Sequence, residues 1–442
     1  MKIKALSFVL MAVLLLCGCG QKSETAAARS SRTAATPAQA VTASAAQSST
    51  ARPVSTGVTP EQFGAKGDGI ADDLRALQAA IQQASASGRP LELTAGAVYR
   101  FSSCLGLPSG LTIQGNGAVL LSDIQYPDLK EDRVAVELMK DSDDDRAHDV
   151  RLENVTFRAA DSCQANYMLR VMLARNVEFV GCTFDCEPNE WGRGAADLYG
   201  GNENIRFEGC VFCQMTSGAS GGIWVRNWTD RVESRNIRFQ NCEFYKSGAD
   251  ELLAVWGWGG AVRDVVLSGC SFYETQTQEG LDADHRPVWF ITLGQSGTTD
   301  VRMEDCTVRA EYCETIFRMV GDKTRAVVDN CDITMRQPDS MAKHDMKKGA
   351  NPMLARGNDR ADGSTVIQNS RITLSGDNGR RICYQLSALK GNTLDVSLGY
   401  GIASTKEVSG NTIRGRIRHK VFQDCSGVEN NNVEVRRFSI LG

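Results

Sequence analysis

Apolar and polar positions alternate along most of the chain in short runs, and one run returns with a fixed signature, apolar-x-apolar-x-(Gly/Asn/Asp)-Cys-x-apolar. It reads VEFVGCTF to Phe184, IRFEGCVF to Phe212, IRFQNCEF to Phe244, VVLSGCSF to Phe272, VRMEDCTV to Val308 and AVVDNCDI to Ile333. Weaker copies, VRLENVTF and TVIQNSRI, end at Phe157 and Ile372. Cysteines 182, 210, 242, 270, 306 and 331 are therefore 28, 32, 28, 36 and 25 residues apart. Alternation with period two, broken by a turn residue, predicts strands. No stretch between the copies has the helical period of a strand–helix–strand crossover. Short strands repeating at this interval predict a solenoid of parallel coils, each burying its inward side chains against its neighbours.

Second strands lie between the copies: GGIWV (221–225), ELLAV (251–255), VWFITL (288–293), TIFRMV (315–320), ICYQL (382–386) and KVFQD (420–424). Stacked about 4.8 Å apart, one per coil, they would form a second parallel sheet. The variable lengths between coils, greatest at 273–287 and 334–352, are read as loops rising beside that sheet and enclosing a groove, where function would reside.

The ends of the chain differ in character from this body. Met1 to Gly20 joins Lys2 and Lys4 to a 12-residue apolar run, Ala5 to Leu16, which is too short to cross a bilayer and reads as an export signal. Leu16-Cys17-Gly18-Cys19 resembles the bacterial lipobox, and that resemblance implies cleavage after residue 18 and a lipid on Cys19. Residues 19–57 are rich in Ala, Ser and Thr and lack aromatics, as expected of a flexible tether between membrane and body. The expected organisation is thus signal peptide 1–18, tether 19–57 and one folded domain 58–442, exported and held at the cell envelope.

An apolar fraction of 42% and a charged fraction of 23% suit a folded body and exclude a polytopic membrane protein. Residues 58–442 carry a formal charge near -9, so no basic field exists for nucleic acid. Thirteen cysteines remain beyond Cys17 and Cys19, an odd number that cannot all pair within the chain. One cysteine per coil at a constant inward position predicts a column of buried thiols rather than a metal site, which needs four ligands around one point. No metal and no cofactor are expected.

Residues 58–81 read VTPEQFGAKGDGIADDLRALQAAI. This segment resembles the opening of right-handed β-helix proteins of the pectate lyase superfamily, which includes the polygalacturonases of glycoside hydrolase family 28 and phage tailspike-like depolymerases. With the coil phrases, the resemblance spans about 58–435. It implies an all-β fold, a right-handed single-stranded parallel β-helix with a short N-terminal capping α-helix. Asp72 suits an N-cap, and Leu74, Leu77 and Ile81 give that helix one apolar stripe to plug the end of the solenoid.

Ser247-Gly248-Ala249-Asp250-Glu251, ahead of an apolar strand, resembles the polygalacturonase segment carrying two adjacent acids. The resemblance implies Asp250 as general acid and Glu251 as holder of the attacking water. Glycoside hydrolysis requires such a pair of carboxyl groups. Other family motifs are absent or altered: no acid precedes the strand GGIWV, no histidine occurs at 288–290, and Arg318-Met319-Val320 keeps the arginine of Arg-Ile-Lys without its lysine. Asp282, Asp284 and His285 are candidate substitutes from a loop. Trp224, Trp256, Trp258 and Trp289 fall in or just after consecutive groove strands and offer indole faces for sugars, with Arg226 and Arg318 as bidentate donors.

Three readings stay open: a glycosidase using Asp250 and Glu251, a polysaccharide lyase or epimerase, and a non-catalytic glycan-binding lipoprotein. All three share a polysaccharide partner and a lipid-held N-terminus. The resemblance to depolymerases also admits a homotrimer, although no coiled coil or swapped tail is visible in the sequence.

Overall fold

The computed structural model describes residues 57–437, except 126–132, 139–145, 187–191, 218–221, 228–231, 247–250, 275–288, 338–351, 359–362 and 377–378. The signal, the tether and Cys19 lie outside the described residues, as do Asp250, Asp282, Asp284 and His285.

The body is a parallel β-helix with the right-handed sense of parallel crossovers. Each coil contributes one strand to each of three sheets, named here A, B and C in the order the chain visits them. One such coil runs Ala174–Val180 in sheet A, Thr183–Asp185 in sheet B and Gly192–Tyr199 in sheet C. Three sheets replace the two expected from the sequence because the cysteine phrase is itself two strands around a corner. The chain turns at its Gly/Asn/Asp residue, which adopts the left-handed conformation: φ is 59° at Gly181, 53° at Asn241, 55° at Asp305 and 51° at Asn330. Glycine, asparagine and aspartate tolerate that region best, so the turn residue in the signature has a steric cause. From Glu153 to Asn432 every A-to-B link is two residues long, a left-handed residue and then the ladder residue.

Constant length keeps side chains in register from coil to coil. Phe157, Phe184, Phe212, Phe244 and Phe272 stack inside sheet B with ring centroids 4.5–5.0 Å apart. Phe179, Phe207 and Phe239 do the same inside sheet A and meet the first column edge to face. The six signature cysteines are buried free thiols, and each donates to a carbonyl of the preceding coil: Cys210 to Phe179 at 3.3 Å, Cys242 to Phe207 at 3.5 Å and Cys270 to Phe239 at 3.3 Å. Beyond Cys331 the same position is taken by Ser370, Asn392, Asn411 and Asn431. The three asparagine amides donate across the coil at 2.7–3.0 Å. Each also accepts the preceding ladder residue's backbone N–H. The ladder therefore passes from thiol to amide without changing its geometry.

The helix Leu74–Ser87 closes the N-terminal end, burying Leu77, Ala80, Ile81 and Ala84. Its N-cap position is Asp73, one residue past the expected Asp72, because Asp72 ends the strand Asp68–Asp72. Asp72 still receives the Leu74 N–H at 3.2 Å, while the Asp73 carboxylate ties down the N–H groups of Lys66 and Gly67 at 2.7 and 3.0 Å. Gly64, Gly67 and Gly69 in this turn all have positive φ. The acids of the opening motif thus hold the cap together.

Links from sheet B to sheet C obey no constant length. One residue separates Leu398 from Tyr400, 14 separate Glu274 from Trp289, and 15 separate Arg336 from Pro352. Both expected long loops fall in such links, and 275–287 and 338–351 of them lie outside the described residues.

Candidate functional site

The strands of sheet C are buried on both faces. Tyr167–Val171 is buried at all five positions, and Pro352–Arg356 at four of five. Register identifies the outward row: Arg170, Asp197, Trp224, Ala254, Thr292, Arg318, Arg356 and Tyr384 follow one another on successive coils. Tyr199, Arg226 and Trp256 form a parallel row two residues further along.

Asp197 is fully buried and is the centre of the first half of this face. Arg226 grips it bidentately, Nε to Oδ1 and Nη2 to Oδ2, both at 2.7 Å, and Arg170 donates to Oδ2 at 3.3 Å. Burial alone would depress Arg226, but the bond to Asp197 carries it above its usual value. The Arg226 guanidinium also lies 4.5 Å from the Trp224 ring centroid and 4.9 Å from that of Tyr199. Neither Asp197 nor Arg170 nor Tyr199 was expected from the sequence.

Glu251 anchors the second half. It is 6% exposed and sits just ahead of the strand beginning at Leu253. Its Oε1 accepts from Thr292 Oγ1 at 2.8 Å and from Arg318 Nη1 at 3.4 Å, and Arg318 also donates to Gln295 Oε1 at 2.7 Å. Burial pulls Arg318 below its usual value, Glu251 opposes that, and Arg356 on the next coil adds to it. The Arg318 guanidinium stands 4.9 Å from the Trp289 ring.

The expected tryptophans are all near this face but are differently presented. Trp224 is 6% exposed, tilted against Trp256 with centroids 4.6 Å apart and covered by Arg226. Its Nε1 is buried without a hydrogen-bond partner among the described residues. Trp256 and Trp289 are half-buried, and Trp258 is 62% exposed. The face therefore brings together Glu251, Trp224, Arg226, Trp256, Trp289 and Arg318, with Trp258 at its rim.

Distance decides how Asp197 and Glu251 relate, a third carboxylate, Glu137, preceding Arg170 in the same row. Asp197 and the Thr292 rung that Glu251 meets are separated by three coil steps, about 14 Å at about 4.8 Å per step. Glycosidase carboxyl pairs stand roughly 5–9.5 Å apart. With both oxygens held by arginine, Asp197 organises the face.

In architecture the chain resembles a family 28 exopolygalacturonase of Yersinia enterocolitica (12% identity, 87% of this chain and 79% of that one, TM-score 0.45). It is similarly close to PfbA, a surface adhesin of Streptococcus pneumoniae (15%, 80% and 92%, TM-score 0.44). A tailspike variant of E. coli bacteriophage HK620, in complex with a pentasaccharide, matches at 11% identity over 85% of this chain and 80% of its own, TM-score 0.46. A capsule-specific depolymerase of a Klebsiella phage is 45% identical over 60 residues, 14% of this chain and only 7% of the depolymerase. The family model described as rhamnogalacturonase A/epimerase, pectate lyase-like, matches residues 58–282, just over half of the chain, and the chain belongs to that family.

Proposed function

We propose that this protein acts on a polysaccharide laid across the outer face of sheet C, as a glycosidase in which Asp250 is the general acid and Glu251 holds the attacking water. Asp250 would give its proton to the leaving glycosidic oxygen while the Glu251 carboxylate takes a proton from the water that adds to the sugar carbon. The observation that supports this reading is the setting of Glu251. Two donors on the outward row, Thr292 and Arg318, orient its carboxylate, and Arg318 lies over the Trp289 ring. Trp258 and the half-buried Trp256 and Trp289 offer apolar ring faces to sugars. Family membership and the capsule depolymerase match support a polysaccharide as the substrate class. A lipid on Cys19 would hold the enzyme at the envelope, with residues 20–57 as its reach.

The test is sugar release from a panel of neutral and acidic polysaccharides. Asp250→Asn and Glu251→Gln are each expected to lower turnover by at least about 100-fold, the scale of general acid–base catalysis. Unchanged turnover removes the assignment. An ultraviolet-absorbing unsaturated product would establish a lyase instead. Binding with no reducing ends released over long incubation would establish a binder.

A further inference from the structure

We propose that the solenoid carries a second glycan site, on the outer face of sheet B, which takes a neutral, hydroxyl-rich stretch of polysaccharide and performs no chemistry on it. A cavity of about 520 Å³ opens there, on a different face from the row of Asp197 and Arg318. Tyr245, Tyr273, Arg309, Thr334 and Thr373 occupy one outward row on consecutive coils. At about 4.8 Å per coil this row runs about 19 Å along the axis, room for several sugar units end to end.

One end of the cavity is an aromatic wall. Tyr245 stacks on Tyr273 with centroids 5.2 Å apart and planes 20° from parallel, which fixes the ring that borders the cavity. Tyr245 is itself tied to Glu243 Oε2 at 2.6 Å. The rest of the lining is built from opposed charges. Arg309 Nη2 donates to Asp332 Oδ2 at 2.6 Å, and Glu274 Oε2 accepts the N–H groups of Glu311 and Tyr312 at 2.8 Å each. Arg336 and Arg371 stand exposed at the border. The side chains of Thr334, Thr373, Arg336 and Arg371 make no hydrogen bond or ion pair among the described residues, so the site holds unengaged donors and acceptors.

Charge selects the ligand class. Three guanidinium groups face three carboxylates, those of Glu274, Glu311 and Asp332, so the cavity exerts little net pull on an anion. Hydroxyl groups both donate and accept, and a dense row of them satisfies such a mixed lining. The ring of Tyr273 complements the apolar face of a sugar. A neutral glycan meets all three features, whereas a uronate chain would set its carboxylates against those of the protein.

The experiment titrates the full chain with malto-, cello-, xylo- and galacto-hexaose and with hexagalacturonate by isothermal calorimetry. At least one neutral hexaose is expected to bind, with affinity at least tenfold weaker in Tyr273→Ala and in Arg336→Glu/Arg371→Glu. Trp289→Ala on sheet C is expected to retain that binding, and both sheet B variants are expected to retain sugar release. The two variants touch the site independently, and an unchanged unfolding midpoint separates lost binding from lost fold. Neutral binding that survives both variants, or that is found for no hexaose, overturns the site. A loss confined to hexagalacturonate overturns the neutral class.

Discussion

The two ends of each sheet B strand are built to opposite rules. At its start the chain always arrives by two residues, one left-handed and one inward, from Glu153 onward. At its finish the link to sheet C ranges from one residue to 15. The first corner cannot vary, because a stacked core needs each phenylalanine above the last. The second can, because its residues lie outside the stack. What the difference teaches is where chemistry has room to change: the face beside the variable corner carries Asp197, Glu251 and the tryptophans, while the constant corner carries only packing.

The contrast can be broken most severely by length. One glycine inserted after Asn241 would shift Glu243–Lys246 by one position and turn Phe244 outward. Loss of the cooperative unfolding transition is expected, whereas the same insertion within 338–351 should move the stability by less than about 0.5 kcal/mol. Denaturant melts of the two variants decide this, and equal melts would end the distinction between the corners.

Next in size is a test that the variable side has a rigid floor of its own. Asp197→Ala leaves the buried Arg170 and the half-buried Arg226 without their shared carboxylate, a loss of about 3–5 kcal/mol in unfolding free energy. A change below about 1 kcal/mol would mean that the ion cluster is solvated and does not organise the face. A smaller effect probes the constant corner chemically. Asn330→Ala puts a side chain without local hydrogen-bonding ability at φ 51°, with an expected cost of about 1–2 kcal/mol. Asn330→Gly should not incur it.

The gentlest test is a titration at the capped end, ahead of the first constant corner. Burial, aided by the hydrogen bond to Glu61, pushes the Tyr99 phenol up to about 12 from an ordinary 10. A group whose pKa is raised on folding contributes its stability fully below pH 10 and loses it as pH rises through about 12. The unfolding midpoint should therefore fall between pH 10 and 12 more steeply in the parent chain than in Tyr99→Phe, and parallel curves would show that the Tyr99–Glu61 bond plays no part.

How far the sequence could be read follows from the same contrast. The cysteine phrase was legible because its alternation is clean: sheets A and B bury one face and expose the other, as in the burial of Val177 and Phe179 between exposed or half-buried neighbours. Its division into two sheets was not legible, since a left-handed turn residue inside a continuous phrase does not announce a change of direction. Asp197 and Arg170 escaped for a different reason. Sheet C is covered on both sides, so its strands read as unbroken apolar runs and the facing of any one residue is fixed only by register with neighbouring coils. Aligning YMLRV, GAADL and GGIWV would have placed Arg170, Asp197 and Trp224 in one row. The same cover explains Trp224, a candidate for sugar contact that lies beneath Arg226 and Trp256.

The passage of the inner ladder from sulfur to amide divides the molecule by its susceptibility to oxidants. The coils that present Asp197 through Arg356 on sheet C are those whose spine is Cys182 to Cys331, while the coils after them depend on Ser370, Asn392, Asn411 and Asn431. A peroxide that enters a transiently opened coil meets a stacked ladder of thiols in these coils, and in the later ones the separate thiols of Cys383 and Cys425. Ageing in an oxidising medium should thus modify the half-buried Cys425 ahead of the ladder thiols, which it reaches only as their coils open.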